Sequence, residues 1–152
     1  RTCWQCQVIQ VQETPDWPQM SERTAIVEDL FHAWRSGGVD AVMRIAPVDV
    51  IWEPLDAPGP MDASEARAWH RAQRIESAAY RFEEIGSAVL ATGRRRRWEG
   101  EGFSDALVAW VYWFEGTRLV RATGYRSEAE ARDAMQHAAP ESGRSSVPRS
   151  DG

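Results

Sequence analysis

The feature that most constrains this chain is a change of hydrophobic period partway along it. Up to about residue 77 the apolar residues recur mainly at helical spacing, interrupted by one short strand-like run; from Tyr80 onward they alternate in twos. A period near 3.6 lines one face of a helix, and a period of two lines one face of a strand. Helices early and antiparallel strands late predict an α+β domain, with helices on one face of a curved antiparallel sheet. At 152 residues the chain suits a single domain with its own core.

Element by element, Ser21 reads as an N-cap, and Ile26, Val27, Leu30, Phe31 and Trp34 as one helical stripe ended by Gly37-Gly38. Val39 to Ala46 predicts a second, short helix stopped by Pro47. Val48 to Glu53 predicts a strand with Val48, Val50 and Trp52 on the core side and Asp49, Ile51 and Glu53 on the other. Asp62 and Glu65 have capping-box spacing for a third helix, through about Ser77, with Ala66, Trp69 and Gln73 on one face. Then comes a meander: Tyr80 to Ala91, bulged near Glu84-Ile85; a tight turn at Thr92-Gly93; Arg94 to Gly100; Ala106 to Phe114; and Thr117 to Tyr125. Ser127 and Glu130 cap a closing helix to about Ala138.

The ends differ from the middle, which gives a domain over 21–138. Residues 1–20 are read as a leader outside the domain. They lack the basic start and apolar run of a signal peptide. Arg1 is no initiator, so Met20 is read as the natural start and the residues before it as disordered, upstream or added sequence. Cys3 and Cys6 form a CxxC pair without the further ligands of a zinc site or the strand-to-helix context of a redox motif, and are taken as incidental. Residues 139–152, rich in Ser, Pro, Gly and Arg, are expected to be a disordered tail.

Charge narrows the partners. A net charge of −5 argues against nucleic acid or an anionic membrane surface as the main partner. No apolar stretch approaches the roughly 20 residues of a membrane-spanning helix, and a cytoplasmic location is expected. All 18 basic residues are arginine and asparagine is absent, as suits a GC-rich bacterial genome. The run Arg94 to Arg97 splits two and two across a strand. Ion pairing with Glu83, Glu84, Glu99 and Glu101 is the bland expectation; gripping the carboxylate or phosphate of a ligand is the sharper one. No metal site or cofactor is expected: the chain lacks a Gly-rich phosphate loop, HExxH and GxSxG.

Three stretches carry a family resemblance. Phe31-His-Ala-Trp34-Arg-Ser-Gly-Gly-Val-Asp40, Pro47-Val-Asp-Val-Ile-Trp52-Glu53-Pro54, and the hairpin from Val108 through Glu115-Gly116 to Tyr125 with the helix to Ala131 resemble, in order, the first helix, first strand and terminal hairpin of the SnoaL-like domain of the nuclear-transport-factor-2-like superfamily. The resemblance implies a cone in which about three helices wrap the curved sheet around an apolar pocket. It also implies a family of polyketide cyclases, ketosteroid isomerases, epoxide hydrolases and proteins without known activity. In that family Trp110 stands where His is frequent, and Gly124 where an acidic residue is frequent; both departures remove a proton-transfer group.

The expected pocket consists of Phe31, Trp34, Trp52, Trp69, Trp110 and Tyr112, aromatic residues whose phase turns them inward. His32 on the first helix, Glu53 at the strand end and Asp105 before the apolar strand are the catalytic candidates. His70 resembles His32 as a helix-boundary histidine. Trp113, out of phase with Trp110, Tyr112 and Phe114, belongs on the outer sheet face, where it predicts a homodimer or, failing that, a cover from the closing helix. Three readings follow: a domain binding a small hydrophobic molecule, a cofactor-free isomerase, cyclase or hydrolase of an apolar substrate, and a dimeric protein-interaction module.

Overall fold

The computed structural model describes residues 21–144. The expected leader, Cys3, Cys6 and the last eight residues of the expected tail lie outside that range.

Helix α1 spans Glu22–Ile45 and breaks at Gly38, so the two predicted helices meet end to end across a kink. Ser21 caps it, its hydroxyl accepting from the Thr24 amide at 3.0 Å. Strand β1 is only Ile51–Glu53. Val48 falls in a turn before it and is exposed, whereas Val50 and Trp52 are buried together as their phase predicts. Helix α2 (Ala63–Ala72) starts with the predicted capping box: Asp62 accepts from the Glu65 amide at 2.8 Å and Glu65 from the Asp62 amide at 3.0 Å. It ends at Ala72 rather than near Ser77. Ile75, Glu76 and Ser77 instead begin strand β2 (Ile75–Ile85), because Arg97, Arg96 and Arg95 offer them a strand to pair with.

Strands β2, β3 (Ala88–Glu99), β4 (Gly102–Glu115) and β5 (Arg118–Tyr125) form the predicted meander, with one turn displaced. The β2–β3 turn falls at Gly86-Ser87, not at Thr92-Gly93, and the bulge falls between Ala79 and Arg81, not at Glu84-Ile85. Gly93 lies opposite that bulge: a Cβ there would stand 1.9 Å from the Ala78 carbonyl oxygen. The glycine therefore serves a close backbone approach rather than a turn. Sheet order is β1-β5-β4-β3-β2, and β1 runs parallel to β5, so the sheet is mixed rather than wholly antiparallel.

The helices lie on both faces, not one. On the inner face Val27, Leu30, Phe31 and Val42 of α1 pack with Trp52, Val89, Ala91, Tyr112 and Phe114. On the outer face helix α3 (Glu128–Arg144) sets Ala131 and Met135 against Leu90, Ala109 and Val111. Its N-cap is Ser127, accepting from the Glu130 amide at 3.1 Å, and it runs past the expected end at Ala138. Trp113 lies on this outer face, as its phase predicts, half-buried against the cluster that Ala131 and Met135 complete. Among the described residues no helix is long and apolar enough to cross a membrane.

Candidate functional site

A cavity of about 90 Å³ opens between α1, α2, β1 and the inner sheet face. Leu30, Phe31, Trp34, Val39, Val42 and Met43 come to it from α1, because the stripe that packs on the sheet continues across the Gly38 kink. Trp52 and Tyr112 come from the strands. Phe31 is the hub of the wall, edge-on to Trp110 at 5.0 Å, Phe82 at 5.9 Å and Tyr112 at 6.0 Å. Such pairs contribute about 0.5–1.5 kcal/mol each beyond area burial.

Of the six expected pocket residues, Phe31, Trp34, Trp52 and Tyr112 line the cavity. Trp110 has the right face but stands behind Phe31. Trp69 also lies outside the lining, stacked edge-on against His70 at 5.0 Å.

The catalytic candidates do not converge. His32 is exposed on α1, its Nδ1 3.1 Å from an Arg35 guanidinium nitrogen. Asp105 sits on the outer face, 3.3 Å from Arg96. Glu53 alone reaches the cavity, at its mouth, and there it is engaged: Thr123 Oγ1 donates to it at 2.9 Å and Arg121 Nε at 3.1 Å. Burial pushes its carboxyl up, but the bonds from Arg121 and Thr123 and the Arg121 charge outweigh this and hold it below the ordinary glutamate value.

The group that the candidates passed over is His70. It lines the cavity from α2, with its ring edge-on to Trp34 at 4.9 Å. Burial pushes its pKa down to about 4, so it is neutral at physiological pH. Its Nδ1 is buried without a hydrogen-bond partner, and so is the Trp52 Nε1–H. Its position just after Trp69, one helical turn beyond Ala66, was the available signal; only the path of α2 across α1 decides that position 70 faces inward. Tyr112 is buried, and burial raises its phenol pKa.

Position 124 explains a missing carboxylate. A Cβ on Gly124 would stand 2.9 Å from the Leu55 amide nitrogen and 3.2 Å from its Cβ. The loop after β1 lies on this glycine and occupies the space a side chain would need.

No protein-family model matches the sequence, and no curated protein is similar to it. Solved structures are similar in fold. An ntf2-like protein of unknown function from Burkholderia pseudomallei superposes with a TM-score of 0.61 at 22% identity over 74% of this chain and 95% of the other. A putative polyketide cyclase from Xanthomonas campestris gives 0.60 at 16% identity over 73% and 94%. An LEH-like epoxide hydrolase from M. tuberculosis gives 0.57 at 18% over 71% and 84%. The element order, the open five-stranded mixed sheet and these superpositions together show that the chain shares the α+β cone fold of these ntf2-like structures.

Proposed function

We propose that this domain binds a small, mostly apolar molecule in the cavity beneath α1. The observation that carries the reading is the pairing of an aromatic wall with two buried polar atoms that lack partners, Trp52 Nε1 and His70 Nδ1. A buried polar group left unsatisfied costs about 1–3 kcal/mol, which a ligand with a matching polar group offsets. The free volume, about 90 Å³, is a few waters' worth. An apolar cavity that takes one benzene ring is about 150 Å³, so a single ring already requires Trp34, only half-buried at the rim, to yield, and a polycyclic ligand requires it to swing clear.

Acid–base turnover on a polyketide-, steroid- or terpenoid-like substrate has less support. Trp110 and Gly124 supply no proton-transfer group, Glu53 is held in its ion pair, and a histidine with a pKa near 4 is a weak base at pH 7. The cyclase and hydrolase among the similar structures therefore lend this chain their fold rather than their chemistry.

Benzamide tests the binding reading: its carbonyl accepts from an indole N–H. Titration is expected to shift one indole N–H resonance, the one missing from Trp52→Phe, together with the His70 ring signals. The reading fails if no indole or His70 signal moves up to the solubility limit of the probe.

A further inference from the structure

Three guanidinium groups converge beside the cavity on one carboxylate. Asp56 Oδ2 accepts from Arg95 at 2.8 Å and lies 3.6 Å from Arg97; Asp56 Oδ1 accepts from Arg126 at 3.0 Å. Arg97 is steadied by the Gln73 side chain at 2.7 Å. The other acids near these arginines are marginal: Glu99 stands 4.0 Å from Arg97 and is two-thirds exposed, and Glu130 accepts the Arg126 backbone amide rather than its side chain. Three positive charges thus face essentially one negative charge. Arg95 is the most enclosed of them, with its side chain 14% exposed.

The cluster adjoins the cavity. Arg95 is the direct cross-strand partner of Ser77, which lines the cavity, and its guanidinium also donates to the Leu55 carbonyl at 3.3 Å. Leu55 is the residue pressed onto Gly124, another lining position. Asp56 itself sits at a φ of 74°, left-handed backbone that aspartate adopts at some cost.

We propose that Arg95, Arg97 and Arg126 form the seat for the carboxylate of a small apolar acid whose ring occupies the cavity, and that Asp56 fills this seat when no ligand is bound. The inference deepens the small-molecule reading above and rests on it for the ring. The guanidinium groups of Arg95 and Arg97, carried on strand β3, match a carboxylate's two oxygens, Arg126 closes over them from just past β5, and Asp56 shows the seat already accepts that geometry. Ligand entry exchanges one carboxylate for another, so the arginines never stand unpaired. The loop carrying Leu55 and Asp56 is released from the sheet in the same event.

The test compares benzoate with benzamide in the wild-type protein, in Asp56→Gly, which removes the carboxylate and suits the left-handed backbone, and in Asp56→Gly combined with Arg95→Gln. Removing the internal competitor is expected to tighten benzoate roughly tenfold and leave benzamide unchanged. Added salt should weaken benzoate alone. Arg95→Gln should return benzoate to the level of benzamide. Acetate, a carboxylate without a ring, should shift the Arg95 Nε–H resonance of Asp56→Gly. Benzoate no tighter than benzamide in Asp56→Gly, with no acetate shift, overturns the seat while leaving the cavity intact. An acetate shift with no benzamide binding in any variant keeps the seat and removes the cavity reading instead. Should Asp56→Gly not fold, Asp56→Asn, which also tolerates left-handed backbone, takes its place.

Discussion

His70 shows how a single side chain is set by its surroundings. A histidine whose folded pKa lies near 4 against an ordinary 6.5 favours its neutral form in the folded state. Above pH 6.5 folded and unfolded chains are both neutral there, and the group adds no pH dependence. As pH falls from 6.5 towards 4 the unfolded chain takes up a proton that the folded chain refuses, and stability is lost at about 1.4 kcal/mol per pH unit. Denaturant unfolding at pH 7 and pH 5 should therefore show the wild type losing about 2 kcal/mol more than His70→Gln. Parallel losses in the two proteins would mean that His70 is solvated in solution. Asp56 works the other way. The hydrogen bond from Arg95, opposed by burial and reinforced by the charges of Arg95, Arg126 and Arg97, holds its carboxyl below the ordinary value, so its ion pairs persist in mild acid.

At the scale of elements, the caps were legible and the joints were not. Ser21, the Asp62–Glu65 box and Ser127 are short-range devices whose geometry depends only on neighbouring residues. The β2–β3 turn was misplaced because Gly93 looks the same in sequence whether it makes a turn or lies under a bulge. Likewise the Arg94–Arg97 run divided across the sheet as alternation requires, yet its main partners are Asp105 on one face and Asp56 on the other; Glu99 only grazes Arg97, at 4.0 Å, and the ion pairs of Glu83 and Glu84 are not with this run. Those glutamates serve other elements, Glu83 pairing with Arg132 of α3 and Glu84 with Arg23 of α1. The contact between the loop after β1 and strand β5 gives a prediction at this scale. Gly124→Ala puts a methyl group 2.9 Å from the Leu55 amide, and overpacking of this kind costs about 1–3 kcal/mol. Thermal unfolding should register the loss, and Gly124→Asp should lose more; an unchanged melting temperature in Gly124→Ala would show the loop to be loosely held.

For the whole molecule the open question is what the outer sheet face meets. Trp113 packs half-buried against the cluster that helix α3 completes, with Arg132 bridging to Glu83 and Glu128 to Arg81. The uncovered part of that face carries Tyr80 at 65% exposure, Phe103 at 50% and Leu107 at 66%, an apolar patch of the kind that marks association. Strand phase predicts a homodimer through Trp113, which instead packs within its own chain; we propose that a dimer through this face buries Tyr80, Phe103 and Leu107. Sedimentation at micromolar concentration is expected to show a dimer that Leu107→Glu converts to monomer. Trp113→Arg is expected to act mainly by destabilising the α3 packing, by about 2–4 kcal/mol. A wild-type protein that sediments as a monomer removes the dimer proposal.

The sequence by itself determined the α+β order, the helix caps, the meander and the inward faces of Phe31, Trp52 and Tyr112, because period and capping are local and survive without knowledge of any partner. Tertiary structure alone decided that His70 faces the cavity while His32 and Asp105 do not, that Leu55 fills the place of a side chain at 124, and that two arginines from β3 and one from just past β5 meet on Asp56. Each of those pairings joins residues dozens of positions apart, and what brings them together is the crossing of one element over another, a geometry that no window of sequence contains.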